Sequence, residues 1–276
     1  MVAPRTLRPK EVRVMSVQHG RYESREEAQA AQRAYYNDVM PTQTGGRFRS
    51  GALQELYLAR RIAFARQYTP QHARWLDLGC GDGVITAAIA AFADEVVGVD
   101  ISDRNIAVAS ELRAHPNVRY LRAAVEEPER YADGRPFDAV SAFEVLEHVY
   151  DPAAFLRDAA AQLRPGGVLL LSTPNATSLT RRLKRWFRPL VRRAGYADAD
   201  ALIEEHHREY TLPDLRRLAR GAGLTIIKED GVVLLFPFPN TLERITQWRP
   251  IHALNVRSGG WYPPLAAECY LAAKKE

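Results

Sequence analysis

The sequence predicts a doubly wound α/β fold with a mostly parallel sheet. Three observations predict it. Short apolar runs alternate with helical stretches from Trp75 to Lys228, the pattern of successive βαβ units. A glycine-rich turn, LGCGDG, leaves the first of those runs and leads straight into a helical stretch. The second strand-like run, EVVGVD, then ends on a carboxylate, Asp100, 23 residues after Asp77.

Taken in order, residues 1–50 are polar, with a helix expected from about Glu23 to Val39 and a turn at PTQTGG. A second helix, about Ala52 to Tyr68, carries Leu53, Leu56, Leu58, Ile62 and Phe64 among arginines. These two helices suggest an N-terminal helical cap over residues 1–70, ahead of the main domain at 71–276. The alternating elements follow: Trp75–Leu78, Val84–Phe92, Val96–Val99, Asn105–Ala114, Val118–Leu121, Phe137–Phe143, Ala153–Leu163 and Val168–Ser172. A basic insertion at about 175–209 interrupts them. A helix (Pro213–Ala222), a strand (Leu224–Lys228), a loop over 239–264 and a last strand near Ala267–Ala273 complete the chain.

Composition narrows the function classes. The chain has 276 residues, enough for one large domain or a domain with an appendage. Its 46% apolar and 26% charged residues exclude a disordered chain or a fibre. Cys80 and Cys269 are the only cysteines, too few for a disulfide framework or a cysteine zinc site. No apolar run approaches the roughly 20 residues of a membrane span, and the basic N-terminus has no apolar stretch behind it. The expectation is a cytoplasmic protein. The net charge of +5 hints at nucleic acid until its distribution is examined. Seven basic residues and no acidic ones fall between Arg181 and Arg193; the rest of the chain carries 31 basic against 33 acidic residues. The basicity is a local device.

The glycine turn carries the first chemistry. Gly79, Gly81 and Gly83 let the backbone leave the strand sharply and approach a ligand, and the next helix adds polarised N–H groups. A dinucleotide fingerprint needs its third glycine at position 84, where this chain has valine, and no phosphate-loop Gly-Lys-Ser/Thr follows. Asp100, at the neighbouring strand end, can accept hydrogen bonds from both hydroxyls of a ribose. Its bland alternative is a helix N-cap, a role that Ser102 or Asp103 fills as well.

The blocks LDLGCGDG, GVDIS, FDAVSAFEVLEHVYDP and LRPGGVLLLSTPN, in that order, resemble class I S-adenosylmethionine-dependent methyltransferases. They are most similar to the ubiquinone-biosynthesis O-methyltransferase group. The resemblance implies a Rossmann-like sheet of seven strands with the last one reversed, and S-adenosyl-L-methionine as cofactor. It implies Gly79, Gly81 and Gly83 along the methionine half, Asp77 at the amino-acid end, and Cys80, Ile101 and Phe143 against the cofactor. Many relatives carry an aspartate after the third strand for the adenine amino group. This chain has Ala124 there, which leaves adenine to backbone around Ala124 and Val125, with Glu126 as a candidate side chain.

Phe143-Glu144-Val145-Leu146-Glu147-His148 ends the fourth strand-like run. A helical turn would put Glu144, Glu147 and His148 on one face, for general-base work or for a divalent cation such as Mg2+. The resemblance to quinone-type and small-RNA O-methyltransferases pairs such a block with a later histidine, here His206 with His207 as understudy. The bland alternative is that the block braces the strand end and shapes a pocket. Between Leu179 and Val191 apolar residues recur among arginines, with Trp186 and Phe187 beside the cationic face. Segment 179–193 suits a lid, a peripheral contact at the inner face of a membrane, an RNA contact or a solvated helix. The aromatics Tyr35, Tyr36, Trp248, Trp261 and Tyr262 suggest a flat or apolar acceptor. The expected reaction is O-methylation of a small-molecule acceptor: phenolic, quinone-like, a glycan or a lipid intermediate. An RNA ribose 2′-O-methyltransferase and a non-catalytic partner subunit are the alternatives. The slightly acidic remainder argues against nucleic acid, and the intact glycine turn against a dead copy.

Overall fold

The structure, a computed structural model, describes residues 22, 24–38, 51–179, 181–183, 186, 209–234 and 249–276. Two helices come first, α1 (Arg25–Asp38) and α2 (Gly51–Tyr68). Then follow β1 (Ala73–Leu78), α3 (Val84–Ala90), β2 (Ala93–Asp100), α4 (Asp103–Leu112), β3 (Val118–Arg122) and β4 (Phe137–Phe143). The chain continues through α5 (Pro152–Gln162), β5 (Leu163–Pro174), α6 (Leu212–Gly221), β6 (Leu224–Val232), α7 (Arg249–Ser258) and β7 (Glu268–Lys275). The described strands form one sheet in the order β3-β2-β1-β4-β5-β7-β6. The pairings among β1 to β5 are parallel, and β7 runs antiparallel to both β5 and β6. The doubly wound sheet with a reversed last strand is therefore present.

Alternate residues of a strand point to opposite faces, and here both faces are covered. Leu76, Leu78, Val140, Leu169 and Leu171 pack on one side with α5 and α6. Trp75, Val96, Ala139, Leu170 and Tyr270 pack on the other with Ile85 and Ile89 of α3 and Tyr57, Phe64 and Ala65 of α2. Helix α2 is thus part of the main core: Phe64 is fully buried, with its ring 5.3 Å from that of Tyr270.

The stretch 239–264, expected as a loop, contains helix α7 and two short 3-10 turns. Its buried face is largely polar: His252, Asn255 and Ser258 join Val256 inside, and Ser258 donates to the Asn255 carbonyl. Most of the basic insertion lies outside the described residues; within it, Trp186 is 80% exposed and Arg181 pairs with Glu209. No described helix is long and apolar enough to cross a membrane.

Candidate active site

The strand order reverses between β1 and β4, because β1 is followed outward by β2 and β3 on one side and β4 by β5 on the other. In an open α/β sheet the crevice at the carboxyl ends of such a pair is the ligand-binding position. The turn after β1 is LGCGDG and the turn after β4 is EVLEH, so both predicted motifs flank that crevice.

Gly79, Gly81 and Gly83 all have positive φ, at 70°, 56° and 80°. Such values are nearly free for glycine and costly for other residues. Space adds a second reason. A Cβ on Gly79 would sit 2.4 Å from Val145 Cγ2, and one on Gly83 2.6 Å from the Tyr120 hydroxyl oxygen. The Gly79 and Cys80 amides both donate to the Val99 carbonyl, at 2.7 and 3.0 Å, which draws the turn against β2.

Three carboxylates are buried around this turn: Asp77, Asp82 and Asp100. Asp77 lies beneath it, accepting from Thr86 Oγ1 at 2.6 Å and Ser141 Oγ at 2.7 Å. Burial raises its pKa to about 6, the two hydroxyls pull the other way, and the charge of Asp100 adds to the rise. Asp100 accepts from the Gly81 amide at 3.0 Å and the Ser102 amide at 2.9 Å. Burial also moves Asp100 upward, while those amides and Asn105 oppose it. Ser102 takes the N-cap of α4, accepting from the Asn105 amide, so Asp100 does not serve as that cap. Its second anchor is the glycine turn itself. Cys80 is a buried thiol whose pKa burial drives well upward, and Phe143 is buried at the end of β4. Ile101 is half-buried beside Asp100.

After β3 the backbone of Ala124 and Val125 is already engaged. Glu127 accepts from the Ala124 amide, and the Val125 carbonyl accepts from Tyr131 Oη at 2.8 Å. Glu126 is buried. Its carboxylate accepts from the Tyr150 and Asp151 amides, at 3.1 and 3.2 Å, and Arg25 of α1 donates to its carbonyl.

The EVLEH block departs from the helical expectation. Residues 144–148 form turns, with Glu144 at φ 58°, the left-handed region. Ser172 Oγ donates to Glu144 Oε1 at 2.9 Å, and Thr173 Oγ1 donates to Glu147 Oε2 at 3.0 Å. Ser172 and Thr173 are consecutive on β5, so the two carboxylates are drawn to opposite faces of the sheet. His148 Nε2 lies 3.9 Å from Glu147 Oε1, and its ring meets Tyr36 edge-on. Glu144, Glu147 and His148 therefore do not converge on one ion, and no described group of three or more such side chains does. His206 and His207 lie outside the described residues.

A family model described as a methyltransferase domain matches residues 50–229. The chain belongs to that methyltransferase family. It is 34% identical over 130 residues, 42% of this chain and 51% of the relative, to a ubiquinone biosynthesis O-methyltransferase of Parvibaculum lavamentivorans. The corresponding protein of Idiomarina loihiensis is 32% identical over 163 residues, 57% of this chain and 64% of its own. The matches span between about two fifths and two thirds of the length of these curated relatives, for most about half. Among solved structures, a Thermotoga maritima methyltransferase described as a possible histamine N-methyltransferase superposes with a TM-score of 0.55 at 17% identity. That superposition covers 81% of this chain and 91% of the other, and shows the shared fold.

Family and fold imply S-adenosylmethionine as the cofactor of this methyltransferase domain. The donor set fits it. Three buried carboxylates round one turn oppose a pyrophosphate and suit a cationic sulfonium with an ammonium group and ribose hydroxyls. Asp100 lies beside the turn, its carboxylate accepting from the Gly81 and Ser102 amides.

Two groups in the methyltransferase site escaped the sequence reading. Arg61 of α2 is buried, with Nη2 at 3.1 Å from Glu268 Oε2 and 3.7 Å from Glu144 Oε1. Burial works against its charge; Glu268, Tyr270 and Glu144 outweigh that and keep the guanidinium firmly protonated. Arg61 follows Tyr57 by four residues and precedes Phe64 and Ala65, so a charge sat in the apolar stripe, which was the available signal. The second is the polar pair Gln32 and Asn37 on α1, the expected N-terminal helix, which spans the crevice. Gln32 donates to the His148 carbonyl, and Asn37 Oδ1 accepts from Ser102 Oγ at 2.7 Å.

Proposed function

We propose that the protein transfers a methyl group from S-adenosylmethionine to a hydroxyl of a small molecule, phenolic or quinone-like in character. The observation that carries the reading is the juxtaposition at the switch point: Val145 packs its methyl against Gly79, and Glu144 is the next residue. A carboxylate held there is suited to accept the hydrogen bond of an acceptor hydroxyl, or its proton as the oxygen acquires a methyl. The relatives, O-methyltransferases of ubiquinone biosynthesis, support the same acceptor atom.

When bound, S-adenosylmethionine supplies an already activated methyl, so the chain's own task is orientation and proton management. The glycine turn admits the ligand close to backbone, and Asp100 accepts from ribose hydroxyls. Helix α1 bridges the loops after β2, β3 and β4, limiting water at the crevice. No step requires the predicted metal set, whose carboxylates diverge. The test is methyl transfer to a panel of catechols, phenols, primary amines and thiols, with products identified by mass spectrometry. Methyl ethers of the catechols or phenols are expected; transfer confined to amines or thiols would overturn the hydroxyl assignment.

A further inference from the structure

We propose that Arg61 is the positioning residue of the acceptor side, clamping the turn after β4 so that the Glu144 carboxylate stays fixed beside the cofactor turn. The inference rests on the hydroxyl-acceptor reading and adds to it a residue outside every predicted motif.

Three elements meet at one guanidinium nitrogen. Arg61 comes from α2, Glu144 from the turn after β4, and Glu268 from the start of β7. Glu268 stands opposite Pro174, the last residue of β5, so the whole cluster lies at the carboxyl edge. Glu144 occupies a left-handed backbone conformation, which costs a non-glycine residue about 1–3 kcal/mol and persists only where surrounding structure over-determines it. That structure is visible. The Glu144 amide donates to the Ser172 carbonyl at 3.0 Å, Ser172 Oγ grips the carboxylate, and Arg61 approaches it from the α2 side.

A buried ion pair is weak evidence for stability, because desolvation offsets most of the Coulomb gain. An apolar residue at position 61 would continue the stripe of Tyr57, Phe64 and Ala65. An arginine there instead places a fixed positive charge between two carboxylates at the crevice. The Glu268 ion pair is at the same time a hydrogen bond, donated by Arg61 Nη2 to Oε2 at 3.1 Å. Arg61 thus acts through Glu144, one residue from the contact on Gly79.

The experiment compares Arg61→Met, Arg61→Lys and Glu144→Gln, singly and combined, in the full chain. Catechol serves as acceptor probe, calorimetry reads S-adenosylmethionine affinity, and urea unfolding reads the fold. Arg61→Met is expected to lower kcat by roughly tenfold or more while cofactor Kd and catechol KM stay within about threefold, and Arg61→Lys to recover part of the loss. In the Glu144→Gln background the effect of Arg61→Met is expected to shrink to about twofold, since both act through one carboxylate. Equal losses in both backgrounds, or a loss of cofactor affinity matching the loss of rate, would overturn the inference. If Arg61→Met does not fold, Arg61→Lys makes the same comparison. If wild type binds cofactor but methylates no catechol, the acceptor reading fails, and the unfolding cycle decides on the clamp. Coupling of Arg61 with Glu144 below about twofold in the unfolding constant then overturns it.

Discussion

Replacing Asp77 with asparagine removes a negative charge that the fold confines beneath the glycine turn. The side chain is 3% exposed, and burial raises its pKa from 3.8 to about 6. The difference, about 2 pH units, corresponds to about 3 kcal/mol of stability linked to this one proton. Between about pH 4 and pH 6 the folded chain keeps the proton while the unfolded chain releases it. Stability therefore falls as pH rises through that window, and above it the whole contribution is absent. Asparagine has no proton to release and keeps a similar shape between Thr86 and Ser141, whose hydroxyls can reorient to meet the amide. Urea unfolding of wild type and Asp77→Asn at intervals from pH 4 to pH 8 isolates the effect, because other titrating groups are common to both. The stability difference between the two proteins is expected to swing by about 2.5 kcal/mol in favour of the variant between pH 4 and pH 8. Parallel curves across the range would show that Asp77 ionises normally and that the buried network is drawn wrongly.

Gly79→Ala is expected to weaken S-adenosylmethionine binding by roughly tenfold or more, since the new methyl meets Val145 at 2.4 Å in a left-handed conformation; calorimetry reads it, and unchanged affinity counts against the turn as the site. Phe64→Ala should cost about 3–5 kcal/mol in urea unfolding, because its ring is fully buried against Tyr270; a loss under about 1 kcal/mol would detach α2 from the core. Methyl transfer is expected to stay within about twofold after EDTA, because Glu144 and Glu147 are held on opposite faces of β5. A large loss restored by Mg2+ would bring those carboxylates together.

The parts of the fold legible in the sequence are those decided locally. Continuous apolar runs such as VLLLS mark strands buried on both faces, and glycines that follow a strand mark a turn that only they can make. Asp100 was legible for the same reason, as a carboxylate at a strand end beside that turn. The EVLEH block was legible as a site but not as a geometry. Glu144 carries no local signal for positive φ; tertiary bonds from Ser172 and Arg61 impose it, and the helical face assumed for Glu144, Glu147 and His148 disappears with it. Helix α7 was hidden because its inward residues include the polar His252, Asn255 and Ser258, of which Ser258 donates to the Asn255 carbonyl and accepts from the Leu234 amide. Glu126 accepts from the Tyr150 and Asp151 amides, a tertiary pairing that no local pattern announces. The basic segment, so prominent as a charge pattern, has few described residues; of them, Trp186 shows its indole largely exposed.

The central claim is that the turn after β1, ringed by Asp77, Asp82 and Asp100, holds S-adenosylmethionine. Isothermal titration of the folded 276-residue chain with S-adenosylmethionine, and in parallel with NAD and ATP, tests it most directly. Saturable binding of S-adenosylmethionine at one site, with no heat from the two phosphate-bearing nucleotides, is the predicted result. Binding of either nucleotide in its place, or no binding of S-adenosylmethionine by a cooperatively folded sample, would contradict the account.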